Sequence, residues 1–303
     1  MKPSGIYAPV TTPFDRNGNV DTAAAARNAR ALISAGLDGI VIAGSTGEAP
    51  LLDESERAAL LDAIRAAVPN KAVIMGIGGE STRQTIARAQ AAAKGGADAV
   101  LCVAPHYFGY AATPDGALKA HYVAVADASP KPVVLYSIPK YMHFSLSAPL
   151  VADLAAHRNI TGIKDSSGDM TILTSYMPAQ SDSFTVLTGN GAQFLNSLRA
   201  GARAGILAVA DFAPALARRV FDAHVAGDAA AADAAQALQT PLATEIVAKG
   251  IPSVKAAVDA VGLVGGPVRM PLTDLDQAGR DRVKSILVAS EVGPVSGARQ
   301  PAD

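Results

Sequence analysis

A chain of 303 residues, 50% hydrophobic and 17% charged, is long enough to bury a large core, as one domain or a domain with an appendage. Its formal net charge of -1, without any Lys/Arg block, gives no electrostatic grip on nucleic acid or an anionic bilayer, and 5% aromatic content without Trp argues against a base-stacking platform. The one cysteine, Cys102, excludes an internal disulfide, MKPSGIYAPV lacks the apolar stretch of a signal peptide, and no run of ~20 residues suits a membrane span, so a cytoplasmic setting is expected.

In chain order, short apolar runs with β character occur at 5–12 (GIYAPVTT), 39–44 (GIVIAG), 72–78 (AVIMGIG), 99–105 (AVLCVAP), 132–139 (PVVLYSIP), 160–164 (ITGIK), 184–189 (FTVLTG) and 205–210 (GILAVA). They are continuous rather than alternating, as strands buried on both faces should be. Amphipathic, Ala-rich segments separate them, most clearly 22–36 and 54–68. Ser81 reads as an N-cap, and so does Thr113 with Pro114 at the first helical position. Cys102 sits inside the fourth run and reads as a small buried hydrophobe.

Strand and helix alternating eight times predict an α/β fold, a (β/α)8 TIM barrel, over 1–222. An open doubly wound sheet is disfavoured because no Gly-rich dinucleotide fingerprint follows the first run. Past 222 the β pattern stops, and 223–249, 252–263 and 273–290 read as helices of a C-terminal extension (223–291). The Gly/Pro/polar stretch 292–303 reads as a flexible tail.

Chemistry in such barrels sits at the C-terminal strand ends. The second run ends in GSTGE (44–48), the fourth in APHYF (104–108), and the fifth carries Tyr136. The sixth ends in Lys164 followed by DSSGD, the seventh in TGNG, the eighth in AVADF. A lysine, two tyrosines and a set of hydroxyls and amides on one rim suit amine catalysis on a carbonyl, in which lysine forms an imine that serves as an electron sink. Only the free amine attacks, and a site that excludes water disfavours the ammonium form. A tyrosine can carry protons, and a Gly-rich turn can offer N–H groups to a carboxylate.

Each feature also has a plain structural reading. Lys164 could pair with Asp165, Asp165 or Ser166 could cap the next helix, GSTGE could be an ordinary strand-to-helix turn, and Tyr136 could simply be packed. His106 and His143 could be ordinary exposed histidines, the reading favoured for His106. Five scattered histidines, with no i, i+2 or i, i+4 pair, disfavour a metal-dependent aldolase, so neither metal nor cofactor is expected.

GSTGE, YSIP and GIKDSSGD, in that order and spacing, resemble the dihydrodipicolinate synthase / N-acetylneuraminate lyase superfamily of class I aldolases, from GIYAPVTTPF to the helices near 290. The resemblance implies a Schiff base between Lys164 and pyruvate or another 2-keto acid, with Tyr136 as the proton-shuttling phenol. It implies that Ser45 and Thr46 bind the keto-acid carboxylate, with Thr46 also touching the proton relay. Ser166 is expected to face the substrate, and Gly189 and Leu207 to line the imine site. Tyr107 matches a tyrosine that the synthase branch donates across a tight dimer, so a homo-oligomer, a dimer or a tetramer of two tight dimers, is implied.

Tyr141 stands where the synthase branch carries an arginine for its aldehyde's carboxylate. With KDSSGD and KGIPSVKAAVDAVGLVGGPVRMPL, the chain looks most like 4-hydroxy-2-oxoglutarate aldolases, which release pyruvate and glyoxylate. Thr46, in place of Asn, and His143, in place of a turn-ending Gly, depart from that branch and mark the acceptor pocket. The alternatives are 4-hydroxy-tetrahydrodipicolinate synthase, a 2-keto-3-deoxy sugar acid dehydratase or aldolase, and a catalytically silent keto-acid-binding barrel.

Overall fold

The apolar runs become strands, because β-branched side chains buried on both faces favour a parallel sheet covered by helices. A computed structural model describes residues 3–109 and 113–297. Among them, β1 (Gly5–Pro9), β2 (Gly39–Ile42), β3 (Ala72–Gly76), β4 (Ala99–Val103), β5 (Val133–Ser137), β6 (Ile160–Asp165), β7 (Thr185–Thr188) and β8 (Ala204–Ile206) close into a parallel barrel in sequence order. β1 pairs with both β2 and β8, which removes every sheet edge.

Helices cover the barrel: α1 (Thr22–Ser34), α2 (Glu54–Ala67), α3 (Thr82–Lys94), α4 (Asp115–Ala128), the short α5 (Pro139–Met142), α6 (Ala148–Ala155), α7 (Met170–Ser175), α8 (Phe194–Arg199) and α9 (Pro214–Val225). Local chemistry starts several of them. Asp21 caps α1, Asp53 and Glu56 form a capping box on α2, and Ser81 caps α3. Thr113 is not a cap: its hydroxyl donates to the Gly109 carbonyl at 2.7 Å, and Pro114 is the N-cap of α4 in extended conformation. Neither Asp165 nor Ser166 caps the helix after β6. Asp169 does so, accepting the Thr171 N–H at 2.7 Å.

The eighth barrel helix, α9, runs past 222 to Val225, and Gly227 follows it at a positive φ of 76°. Then come α10 (Ala229–Pro241), α11 (Ile251–Ala260) and α12 (Gln277–Ala289), with a π turn and a 3-10 turn bridging 242–249. After α12 the Val295 N–H donates to the Val261 carbonyl at 3.0 Å; residues 298–303 of the expected tail lie outside the described residues. No helix among the described residues is long and apolar enough to cross a membrane.

Candidate active site

Lys164 and Tyr136 are direct register partners on β6 and β5, so their side chains leave the sheet on the same face. The Lys164 ammonium nitrogen lies 4.2 Å from the centre of the Tyr136 ring, and both residues are 5% exposed. No hydrogen bond or ion pair reaches Lys164 Nζ among the described residues. The pairing with Asp165 does not form, because strand alternation sends adjacent side chains to opposite faces. The Asp165 carboxylate instead accepts the Ser167 hydroxyl at 2.6 Å, and burial pushes its carboxyl up to about 6.

The turn after β2 presents donors. Ser45 and Thr46 are half-buried, and neither their N–H groups nor their hydroxyls have a partner among the described residues. Within the turn, Gly47 N–H donates to the Gly44 carbonyl at 3.1 Å and Glu48 N–H to the Ser45 carbonyl at 3.2 Å. Four uncommitted donors in one turn suit an anion. Gly47 is required by space: a Cβ there would meet the Val10 carbonyl at 2.9 Å.

Gly189 closes the other side of the lysine. A Cβ on it would lie 2.0 Å from Ser166 Oγ and 2.7 Å from Lys164 Cε, so Lys164, Ser166 and Gly189 form one contact group. Leu207 is fully buried, directly after β8, with its N–H on the Tyr7 carbonyl at 3.0 Å.

The remaining expected residues sit outside this group. Tyr107 is 80% exposed and packs edge-on to the exposed Phe108 at 5.3 Å, with its N–H on Glu80 Oε2 at 3.0 Å; the single chain does not bring it into its own buried site. His106 is half-buried rather than exposed: its Nδ1 lies 3.0 Å from the Ala104 carbonyl and 3.4 Å from Glu80 Oε1. Tyr141 lies at the rim in α5, where burial and the nearby Tyr136 raise its phenol's pKa. His143 is exposed and ends α5 at a positive φ of 63°. That conformation, which glycine adopts freely, gives a backbone reason for a glycine here. His143→Gly should therefore raise stability by about 0.5–1 kcal/mol, the relief of the left-handed strain less the entropy of a glycine, read from urea midpoints.

Sequence reasoning missed the layer behind the turn. Glu48 is buried in left-handed conformation (φ 56°) and pairs with buried Lys255 of α11 at 2.7 Å. Lys255 also donates to the Thr12 carbonyl at 2.8 Å and the Pro267 carbonyl at 2.6 Å, and burial lowers its pKa against the pull of Glu48. These partners lie 207 residues apart, so no spacing announces them; the one signal was a lysine inside the apolar helix GIPSVKAAV.

Asp211, just after β8, accepts the Thr11 N–H at 2.9 Å, and burial pushes its carboxyl up to about 7. The folded state thus holds this proton more tightly than the unfolded chain does. Its contribution to stability is full below the ordinary value of 3.8 and is lost as pH rises to about 7. Asp211→Asn, which keeps an acceptor for Thr11, should be more stable than wild type near pH 8, with the gap closing by about pH 4 in urea melts. Parallel profiles at every pH would show that Asp211 does not titrate in this window.

A buried lysine beside a phenol at the C-terminal rim of a (β/α)8 barrel, with uncommitted donors in the turn after β2, defines a lysine-imine aldolase, a lyase of the carbon–carbon class. The family model described as "Dihydrodipicolinate synthetase family" matches residues 2–290. The chain belongs to that family. It is 39% identical over 272 residues to 4-hydroxy-tetrahydrodipicolinate synthase 1 of Streptomyces coelicolor, covering 88% of each chain. Among solved structures it superposes on dihydrodipicolinate synthase DapA-2 of Bacillus anthracis with a TM-score of 0.91 at 30% identity, covering 95% of this chain and 99% of that one. YagE of E. coli K12, a prophage protein of the dihydrodipicolinic acid synthase family in complex with pyruvate, gives 0.89 at 30% identity, covering 95% of this chain and 99% of that one.

Proposed function

We propose that the protein cleaves 4-hydroxy-2-oxoglutarate to pyruvate and glyoxylate through an imine on Lys164. The observation that carries this reading is the Lys164–Tyr136 pair, 4.2 Å from Nζ to ring centre, on the rim that also bears the unpartnered donors of Ser45 and Thr46. Those donors hold the carboxylate next to the keto group. The Lys164 amine adds to C2, water leaves, and the protonated imine draws electrons. The C3–C4 bond then breaks as the 4-hydroxyl gives up its proton, glyoxylate departs, and an enamine remains. Protonation at C3 and addition of water release pyruvate and restore the amine. Tyr136 carries the protons in these steps, Thr46 touches that relay, and Ser166, Gly189 and Leu207 shape the imine pocket.

Tyr141 weighs against the synthase reading. Its phenol is a single neutral donor and cannot give the bidentate charged contact of the arginine whose place it takes. The neighbouring Lys140 is turned to the Ala248 carbonyl at 3.5 Å rather than standing in for an arginine. His143 borders the same segment, so His143→Gly should change acceptor preference more than imine formation with pyruvate. The exposed Tyr107 supports donation to a neighbouring subunit's site in a homo-oligomer, and the single buried Cys102 goes with a cytoplasmic setting.

The synthase reading is favoured by the relatives' names, including one from Xanthomonas axonopodis at 37% identity over 96% of this chain and 97% of its own. One experiment separates the readings. A keto-acid panel is followed for pyruvate release, for pyruvate consumption with carboxylated aldehydes, and for borohydride-trapped adducts. Pyruvate and glyoxylate in equal amounts from 4-hydroxy-2-oxoglutarate support the aldolase. Faster pyruvate consumption with a carboxylated aldehyde other than glyoxylate supports the synthase, turnover without pyruvate release supports a dehydratase, and no adduct at all leaves a silent barrel.

A further inference from the structure

We infer that the buried Glu48–Lys255 pair is a positioning device for the Ser45–Thr46 turn, so that the C-terminal helices set the grip on the substrate's keto-acid carboxylate. The inference rests on the reading that this turn binds that carboxylate. Ala43 at φ 51° and Glu48 at φ 56° bracket the turn, both L residues in the left-handed region. Such a backbone persists only where its surroundings over-determine it. Three contacts do so here. Lys255 Nζ holds the Glu48 carboxylate at 2.7 Å, the Arg269 N–H donates to the other carboxylate oxygen at 2.9 Å, and the Thr12 hydroxyl donates to the Gly47 carbonyl at 2.7 Å. Lys255 also bonds the Thr12 carbonyl at 2.8 Å, so one ammonium braces the turn both directly and through β1's extension.

The brace lies behind the donors rather than among them. Ser45 and Thr46 keep their N–H and hydroxyl groups uncommitted, while Glu48 spends both carboxylate oxygens on residues of the C-terminal extension. A pair that only stabilised the fold would have no reason to affect one end of one substrate. A pair that aims the turn must weaken the hold on pyruvate while leaving Lys164 open to trapping at saturation.

The test removes both charges at once in Glu48→Gln/Lys255→Met, which leaves no unpaired buried ion. The reading is the pyruvate concentration that gives half-maximal borohydride trapping on Lys164. It should rise about tenfold, with the trapped fraction at saturation changed less than about threefold. A half-saturation within about twofold of wild type in a folded but less thermostable protein would reduce the pair to a structural brace. If the double variant does not fold, Glu48→Gln alone is read against the same thresholds. A wild-type protein that traps no pyruvate would overturn the imine reading itself, a result distinct from trapped pyruvate with unchanged half-saturation.

Discussion

Lys164→Ala is expected to lower turnover by about 10^3-fold or more and to abolish the borohydride-trapped pyruvate adduct, because no other amine can take the nucleophile's place beside Tyr136. The fold should survive. Lys164 is 5% exposed and its side chain makes no hydrogen bond or ion pair among the described residues, so its truncation strands no partner. The melting temperature should therefore stay close to that of wild type. Activity near wild type would refute the imine mechanism, and loss of the native circular dichroism would show that the lysine holds the barrel together instead.

Gly189→Ala should reduce kcat/KM for cleavage by about 10^2-fold, a large effect for one methyl group. Gly189 is not in the left-handed region, so alanine meets no backbone objection there. The effect is one of space: the new methyl would lie 2.0 Å from Ser166 Oγ and 2.7 Å from Lys164 Cε, and one or both must move. Imine trapping should slow in parallel. Adding Ser166→Ala separates the causes. If the pair Gly189→Ala/Ser166→Ala recovers wild-type trapping, the serine was the obstacle; if trapping stays slow, the lysine has been displaced from its attacking position.

The barrel was legible because a parallel strand buried on both faces leaves a strong mark, and GIVIAG or PVVLYSIP has no other economical reading. Lys164 and Tyr136 were legible for the same reason: a polar group at the end of an apolar run is conspicuous. Their mutual placement needed only register, since Tyr136 pairs directly with Lys164. Capping was less legible, because DSSGD contains several residues able to start a helix, and only the fold shows that Asp169 does it while Asp165 is turned to Ser167. The role of Gly189 came from family resemblance; its spatial reason, the closeness of Lys164 Cε, is a fact of the folded chain alone. Glu48 and Lys255 were illegible as a pair, for their meeting depends on α11 folding back onto the segments that follow β1 and β2. The left-handed backbone at His143 was hidden because histidine, unlike glycine, carries no mark of a positive φ.

The four-residue helix α5 has a consequence for how this scaffold changes over time. The lysine, the phenol and the donor turn hang on strands and a buried ion pair in the packed interior. Tyr141 and His143 sit on a short rim segment, one 39% exposed and the other exposed at a helix end. On the proposed reading, a change in that segment alters the second substrate while the imine chemistry stays intact. The scaffold then divides its work: the barrel keeps the reaction, and the choice of acceptor is open to revision a few residues at a time.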